Sequence, residues 1–185
     1  MRGFVVLLVI ALTACGKSEA PTPAPKSAPE TAPAAAMPPE PKDFPTPDAC
    51  TLLDVDSVAA VTGWKATKAV PVSTGAVYLS YCHFVDGKKT AHAVKVEVAV
   101  GSAYPENADE YAHAVGDMMG RLKAPATPVT NLGVPAIEMD GGPDAQSMQT
   151  RLPQHVELTV TSASMDVTRT LFPQALVRMR AKLPE

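Results

Sequence analysis

The side chains that could carry chemistry in this sequence are three cysteines, four histidines and eight methionines. Cys82 and His83 are adjacent, which invites a thiol–imidazole pair, but neighbours on a strand point to opposite faces and do not meet locally. His155 and Glu157 share one face of a predicted strand and would offer two metal ligands. Without a third ligand at a suitable spacing, a solvated face is the expectation. His83, His92 and His113 fall on different predicted elements and show no ligand spacing. The loop Asp140-Gly-Gly-Pro-Asp144 holds two carboxylates but lacks the alternating oxygen ligands and closing Glu of a calcium loop, so it reads as a turn. Met118, Met119, Met139, Met148, Met165 and Met179 raise cuprous-ion binding, because thioethers suit Cu(I). Most of them occupy apolar periodic positions, where core filling is expected. No nucleophile elbow, Ser-x-x-Lys, His-Glu-x-x-His or phosphate-cradling glycine loop occurs. No catalytic residue, metal ligand or cofactor is therefore assigned, and the expectation is a protein that is not an enzyme.

The remaining chemistry lies at the amino terminus. Arg2 gives a short positive region, residues 4–12 form an apolar run, and Leu12-Thr13-Ala14-Cys15 ends in small residues before a cysteine. The run is far shorter than the roughly 20 residues a spanning helix needs. These features resemble the signal peptide and lipobox of bacterial lipoproteins. The resemblance implies removal of residues 1–14, diacylglycerol on the Cys15 sulfur and a further acyl group, such as palmitate, on the new amino terminus. An ordinary secretory signal that happens to contain a cysteine is the alternative. Gly16 and Lys17 follow Cys15, with no Asp directly after it. In lipoproteins that pattern implies the outer membrane, facing the periplasm, where the cell has one, and otherwise the outer cell surface. With Cys15 on lipid, Cys50 and Cys82 remain as an even pair in an oxidising setting, and a disulfide between them is expected. Free thiols or a redox pair are the rivals, and neither has a Cys-x-x-Cys spacing behind it.

Loss of the leader takes the net charge from −3 to −4, and from Asp48 onward 12 basic and 15 acidic residues are mixed in sign. No basic stripe supports nucleic-acid binding or docking on anionic headgroups, so membrane attachment falls to lipid on Cys15. Residues 15–47 follow as a linker, and residues 16–47 hold ten of the nineteen prolines among Ala, Thr, Ser, Lys and Glu. That composition predicts a disordered tether with polyproline II character, reaching up to about 100 Å.

Residues 48–185 read as a single α+β domain. Asp54 is placed to cap a helix over 55–62, with Leu53 and Val58 as a hydrophobic staple and Gly63 closing the helix. Strands are predicted at 65–72, cut at Pro71, at 78–85, and through the alternating Val94, Val96, Val98 and Val100. A bulged Asp86-Gly87 turn would pair Phe84 with Lys88 and bring Cys82 onto the valine face. A two-residue loop would send Cys82 to the other face, and the bulge is preferred. An amphipathic helix is expected over 107–123, stopped near Pro125 and Pro128, then strands at 134–139, 146–152 and 155–161. A final helix begins near Thr170, because Pro173 suits only a first turn. The order is α-β-β-β-α-β-β-β-α, a mostly antiparallel sheet with helices on one side, compatible with two α-β-β-β units.

The opening Asp48-Ala-Cys50-Thr-Leu-Leu, the helix ending in Gly63 and the strand Tyr81-Cys82-His-Phe84 resemble uncharacterised bacterial lipoprotein domains that open with a Cys-x-Leu-Leu segment. The chain departs from them at Leu132-Gly133-Val134-Pro135-Ala136, where Gly-Asp-Ala is common. The resemblance implies the fold and no activity. The expected function is a membrane-anchored envelope lipoprotein that binds an envelope protein or small ligand through the sheet face or the loops at Tyr104-Pro105 and Asp140–Asp144. The alternative is a periplasmic copper-binding or carrier protein.

Overall fold

A computed structural model describes residues 45–87, 89–101, 108–122 and 126–184. Cys15, the tether up to residue 44 and the loop at Tyr104-Pro105 lie outside the described residues. A one-turn 3-10 helix, Ala49–Thr51, leads into α1 (Val55–Thr62). The strands β1 (Thr67–Val72), β2 (Leu79–Asp86) and β3 (Lys89–Val100) follow, then α2 (Ala108–Leu122). The chain ends with β4 (Ala126–Val129), β5 (Ala136–Asp140), β6 (Gln146–Leu152), β7 (Val156–Ser162) and α3 (Met165–Arg180). All seven strands form one antiparallel sheet in the order β1-β2-β3-β7-β6-β5-β4. The α+β class therefore holds, with one strand more than the sequence pattern shows. Among the described residues, no helix is long and apolar enough to cross a membrane.

The extra strand and the uncut first strand have one cause. Proline lacks a backbone N–H, so it is tolerated where no neighbour awaits that donor. Pro71 lies within β1 and Pro128 within β4, and these are the two edges of the sheet. The prolines mark edges, where they also discourage pairing with another chain.

One face of the sheet carries the main core. Val94, Val96, Val98 and Val100 of β3 meet Val156, Leu158 and Val160 of β7 under Leu52, Val58, Leu171, Phe172, Leu176 and Met179. Each such side chain contributes about 1.5–3 kcal/mol by leaving water. Cys82 pairs with Val96, shares the valine face and bonds Cys50, so the expected disulfide is present. The route to that register differs from the expected one. Asp86 pairs with Lys89 around a tight turn, and an irregularity further along makes Val94, rather than Lys88, the partner of Phe84.

Three local expectations need correction. Asp54 occupies the N-cap position of α1 without a side-chain bond to the helix; its carboxylate takes the Arg178 guanidinium through both oxygens. Such a charge-assisted fork is stronger than a bond to a neutral amide. Helix α3 runs unbroken from Met165 through Pro173. An interior proline costs about 3 kcal/mol, but Leu171, Phe172, Ala175 and Leu176 all lie in the main core, and their burial outweighs it. Finally, α2 leaves the side shared by α1 and α3. Ile137 and Met139 of β5 pack with Tyr111 and Val115 of α2, whereas Ala136 joins the main core and Glu138 binds Arg169 of α3. Strand alternation puts those two sets on opposite faces. This placement, with β4 added, also breaks the match to two α-β-β-β units, since an axis relating antiparallel β3 and β7 would keep both unit helices on one face.

Candidate functional site

Among the described residues, α2 packs mainly against β4 and β5, so it covers the outer face of the sheet at that end. Alternation sends Lys68, Val70 and Val72 of β1 to that face, with Leu79, Tyr81 and His83 of β2 beside them. Lys95, Glu97 and Ala99 of β3 and Glu157, Thr159 and Thr161 of β7 extend the same surface. Lys68, Val70, Val72 and Lys95 are exposed, and the remaining side chains of the set are half-buried. Side chains from four strands thus form a platform of fixed spacing, which is how a rigid sheet presents a binding surface.

The platform is polar at one end and apolar at the other. His83 sits directly across from Lys95, with Lys68 on the diagonal beside Val85. Burial, then the Lys95 charge, holds the His83 imidazole below its usual titration range. In the middle, Tyr81 faces Glu97 across the β2–β3 pair. Burial, with a hydrogen bond donated to the Glu97 carboxylate, pushes the phenol up to about 12. The phenol therefore stays protonated and the carboxylate is held in place. At the apolar end, Val72, Leu79 and Tyr81 help line a groove of about 480 Å³ around the β1–β2 loop. Val77 is 91% exposed and Tyr78 55% exposed at that loop. The loop is held by Thr46, whose Oγ1 donates to the Val77 carbonyl at 2.7 Å, and by the Val100 amide, which donates to the Tyr78 carbonyl at 2.9 Å.

Between the platform and the strands under α2 runs a buried polar row on β6. Ser147, Gln149 and Arg151 point outward yet are buried, Arg151 to 2% exposure. Ser147 exchanges a 2.8 Å hydroxyl bond with Thr161, and an Arg151 Nη2 lies 2.5 Å from His155 Nδ1. His155 belongs to the β6–β7 turn, not to the strand: it and Gln154 both have φ of 60°. That conformation is strained for side-chain-bearing residues. A guanidinium beside Nδ1 repels a metal cation, so the His155/Glu157 pair is not arranged as a ligand set. Among the described residues, no group of three His, Cys, Asp or Glu side chains could hold a metal ion.

The other sequence candidates are separated. Cys82 and His83 point to opposite faces, the first in its disulfide. Asp140 accepts the Gly142 amide at 3.0 Å and the Gln146 side chain at 2.5 Å, bonds that lower its carboxyl pKa and close the loop as a turn. Asp144 lies 3.3 Å from His92 on the surface. Met148 and Met179 fill the main core with Met165 against it, while Met139 and Met118 belong to the cluster on the opposite face. The platform residues were legible only as the polar half of an alternation. Nothing in that pattern distinguishes a binding surface from a solvated one.

No family model, no curated protein and no solved structure matches this chain.

Proposed function

We propose that this chain is an envelope lipoprotein, anchored through lipid on Cys15, whose domain binds a partner or ligand through the open half of its sheet and carries out no catalysis. One observation supports it most: four strands place both polar and apolar side chains on a face that, among the described residues, α2 covers mainly at its far end. Here Tyr81, His83, Glu97 and Thr159 are half-buried, and Tyr81 and Glu97 are bonded together. The Cys50–Cys82 bridge suits an oxidising compartment outside the cytoplasm. The leader that resembles a lipobox supplies the address, and the proline-rich segment supplies reach from the membrane.

Two measurements test the reading. Intact mass of the protein from its native membrane is expected to equal residues 15–185 plus acyl groups, rising by two protons' mass on reduction of the bridge. An unacylated product would remove the anchor. A photocrosslinking residue at Val70 or Thr159 is expected to trap an envelope component, whereas the same residue at Val177, exposed on α3, is not. Equal trapping at both places would remove the platform.

A further inference from the structure

The cross-strand pair of His83 and Lys95 sets an imidazole directly opposite an ammonium, so protonation of His83 would place two cations face to face, an arrangement that destabilises a sheet. Lys68 adds a third basic group on the diagonal. The charged and titratable groups facing His83 are Lys68 from β1, Tyr81 on its own strand, and Lys95 and Glu97 from β3. Glu97 is engaged by Tyr81. Among the described residues, Lys68 and Lys95 pair with no carboxylate, although ion pairs form elsewhere, at Arg169–Glu138 and Arg178–Asp54. A basic corner with no direct ion pair to a carboxylate among the described residues therefore lies beside a half-buried imidazole. Four residues along β2, roughly 13 Å at strand rise, the same face presents Leu79 and Val72 at the edge of a groove of mixed polar and apolar lining.

We propose that the open half of the sheet is the site of a small amphipathic anion, its charged head between His83 and Lys95 and its apolar part along Tyr81 toward Val72 and Leu79. The inference rests on the reading of this face as a binding surface and adds the class of ligand. The head is a carboxylate or a tetrahedral oxyanion such as a phosphate ester; both accept hydrogen bonds from a lysine ammonium and an imidazolium. The tail replaces water over Tyr81, Leu79 and Val72. An anion in the corner favours protonated His83, so the affinity rises as the pH falls through the titration of that imidazole. By linkage, bound anion raises the His83 pKa.

The test uses the chain from residue 15 onward with Cys15→Ser and the disulfide intact. Probes are sulfate, acetate and octanoate at matched ionic strength, with the His83 imidazole followed by NMR between about pH 5.5 and pH 8. Saturable shifts at His83 are expected, with octanoate at least tenfold tighter than acetate. Comparing sulfate with acetate tells the oxyanion head from the carboxylate. Lys95→Gln is expected to weaken every probe at least tenfold, while Leu79→Ser weakens octanoate alone. As a folding check, Lys182→Gln should leave all affinities unchanged. Shifts that match a chloride control, or that persist in Lys95→Gln, would overturn the proposal. If no probe binds while the crosslinker at Thr159 still traps a component and the one at Val177 does not, the anionic ligand falls and the binding face stands. If neither occurs, both fall.

Discussion

The two faces of β2, β3 and β7 share one backbone and the same strict alternation, yet they have opposite fates. Inward, Cys82, Phe84, Val94, Val96, Leu158 and Val160 are sealed beneath α1, α3 and the opening 3-10 turn. Outward, Tyr81, His83, Lys95, Glu97 and Thr159 stay within reach of solvent, because α2 crosses to the far end of the sheet. The inner face stabilises by area and packing, so any change there is felt throughout the domain. The outer face, exposed or half-buried, is expected to contribute less to stability. Core packing and the proposed binding surface are thus divided between even and odd positions of the same strands.

The sharpest way to break this division is from within. Phe172→Ala is expected to cost about 3–5 kcal/mol, read as a fall in the urea midpoint, because it opens a cavity where α3 meets the sheet. Removal of the bridge by Cys50→Ala with Cys82→Ala should cost about 3–4 kcal/mol, since the closed loop spans a sequence separation of 32. Thermal melting in the absence of reductant measures it, and reductant should then have no further effect on the double variant. On the outer face the expected losses shrink. Tyr81→Phe deletes the bond to Glu97 at about 1 kcal/mol and returns the Glu97 carboxylate to solvent. Lys95→Gln should change stability by less than about 0.5 kcal/mol. An outer-face variant as damaging as Phe172→Ala would collapse the comparison.

Acid titration sharpens it further at the helix–sheet contacts. Arg169 grips Glu138 with bonds of 2.8 and 2.6 Å and holds its carboxyl below the usual range, as Arg178 does for Asp54. A carboxyl with a depressed folded pKa gives stability that is present above its unfolded value and lost as the pH falls through the folded one. Stability should therefore decline below about pH 4.5. Arg169→Gln should flatten part of that decline while leaving the neutral-pH melting point within a few degrees, as expected for a pair with one exposed partner. Urea midpoints measured across the acid range check both.

Much of the inner face was legible from the chain. The valine alternation of β3 and the Val156, Leu158, Val160 alternation of β7 are local signals, and they found their places. So did the bounds of α1, with Gly63 in the left-handed conformation at φ 73°. Cysteine parity found the bridge. The misreadings share a physical origin. Pro71, Pro128 and Pro173 were judged by local propensity, whereas their cost depends on whether a neighbour needs the missing donor and on how much apolar area the element buries. The side taken by α2 was illegible because its stripe of Tyr111 and Val115 fits either face of a sheet equally well.

By itself, then, the sequence determined the period of each element, the residues able to enter a core and the pairing of the two domain cysteines. These depend on neighbours a few positions away, or on counting. Only the tertiary structure decided which strands became edges, which face α2 covers, that Arg178 takes the Asp54 carboxylate away from its helix, and that His83 meets Lys95 across an open surface. Those outcomes depend on contacts between residues far apart in the chain, and their energies are settled only when the alternatives compete in three dimensions.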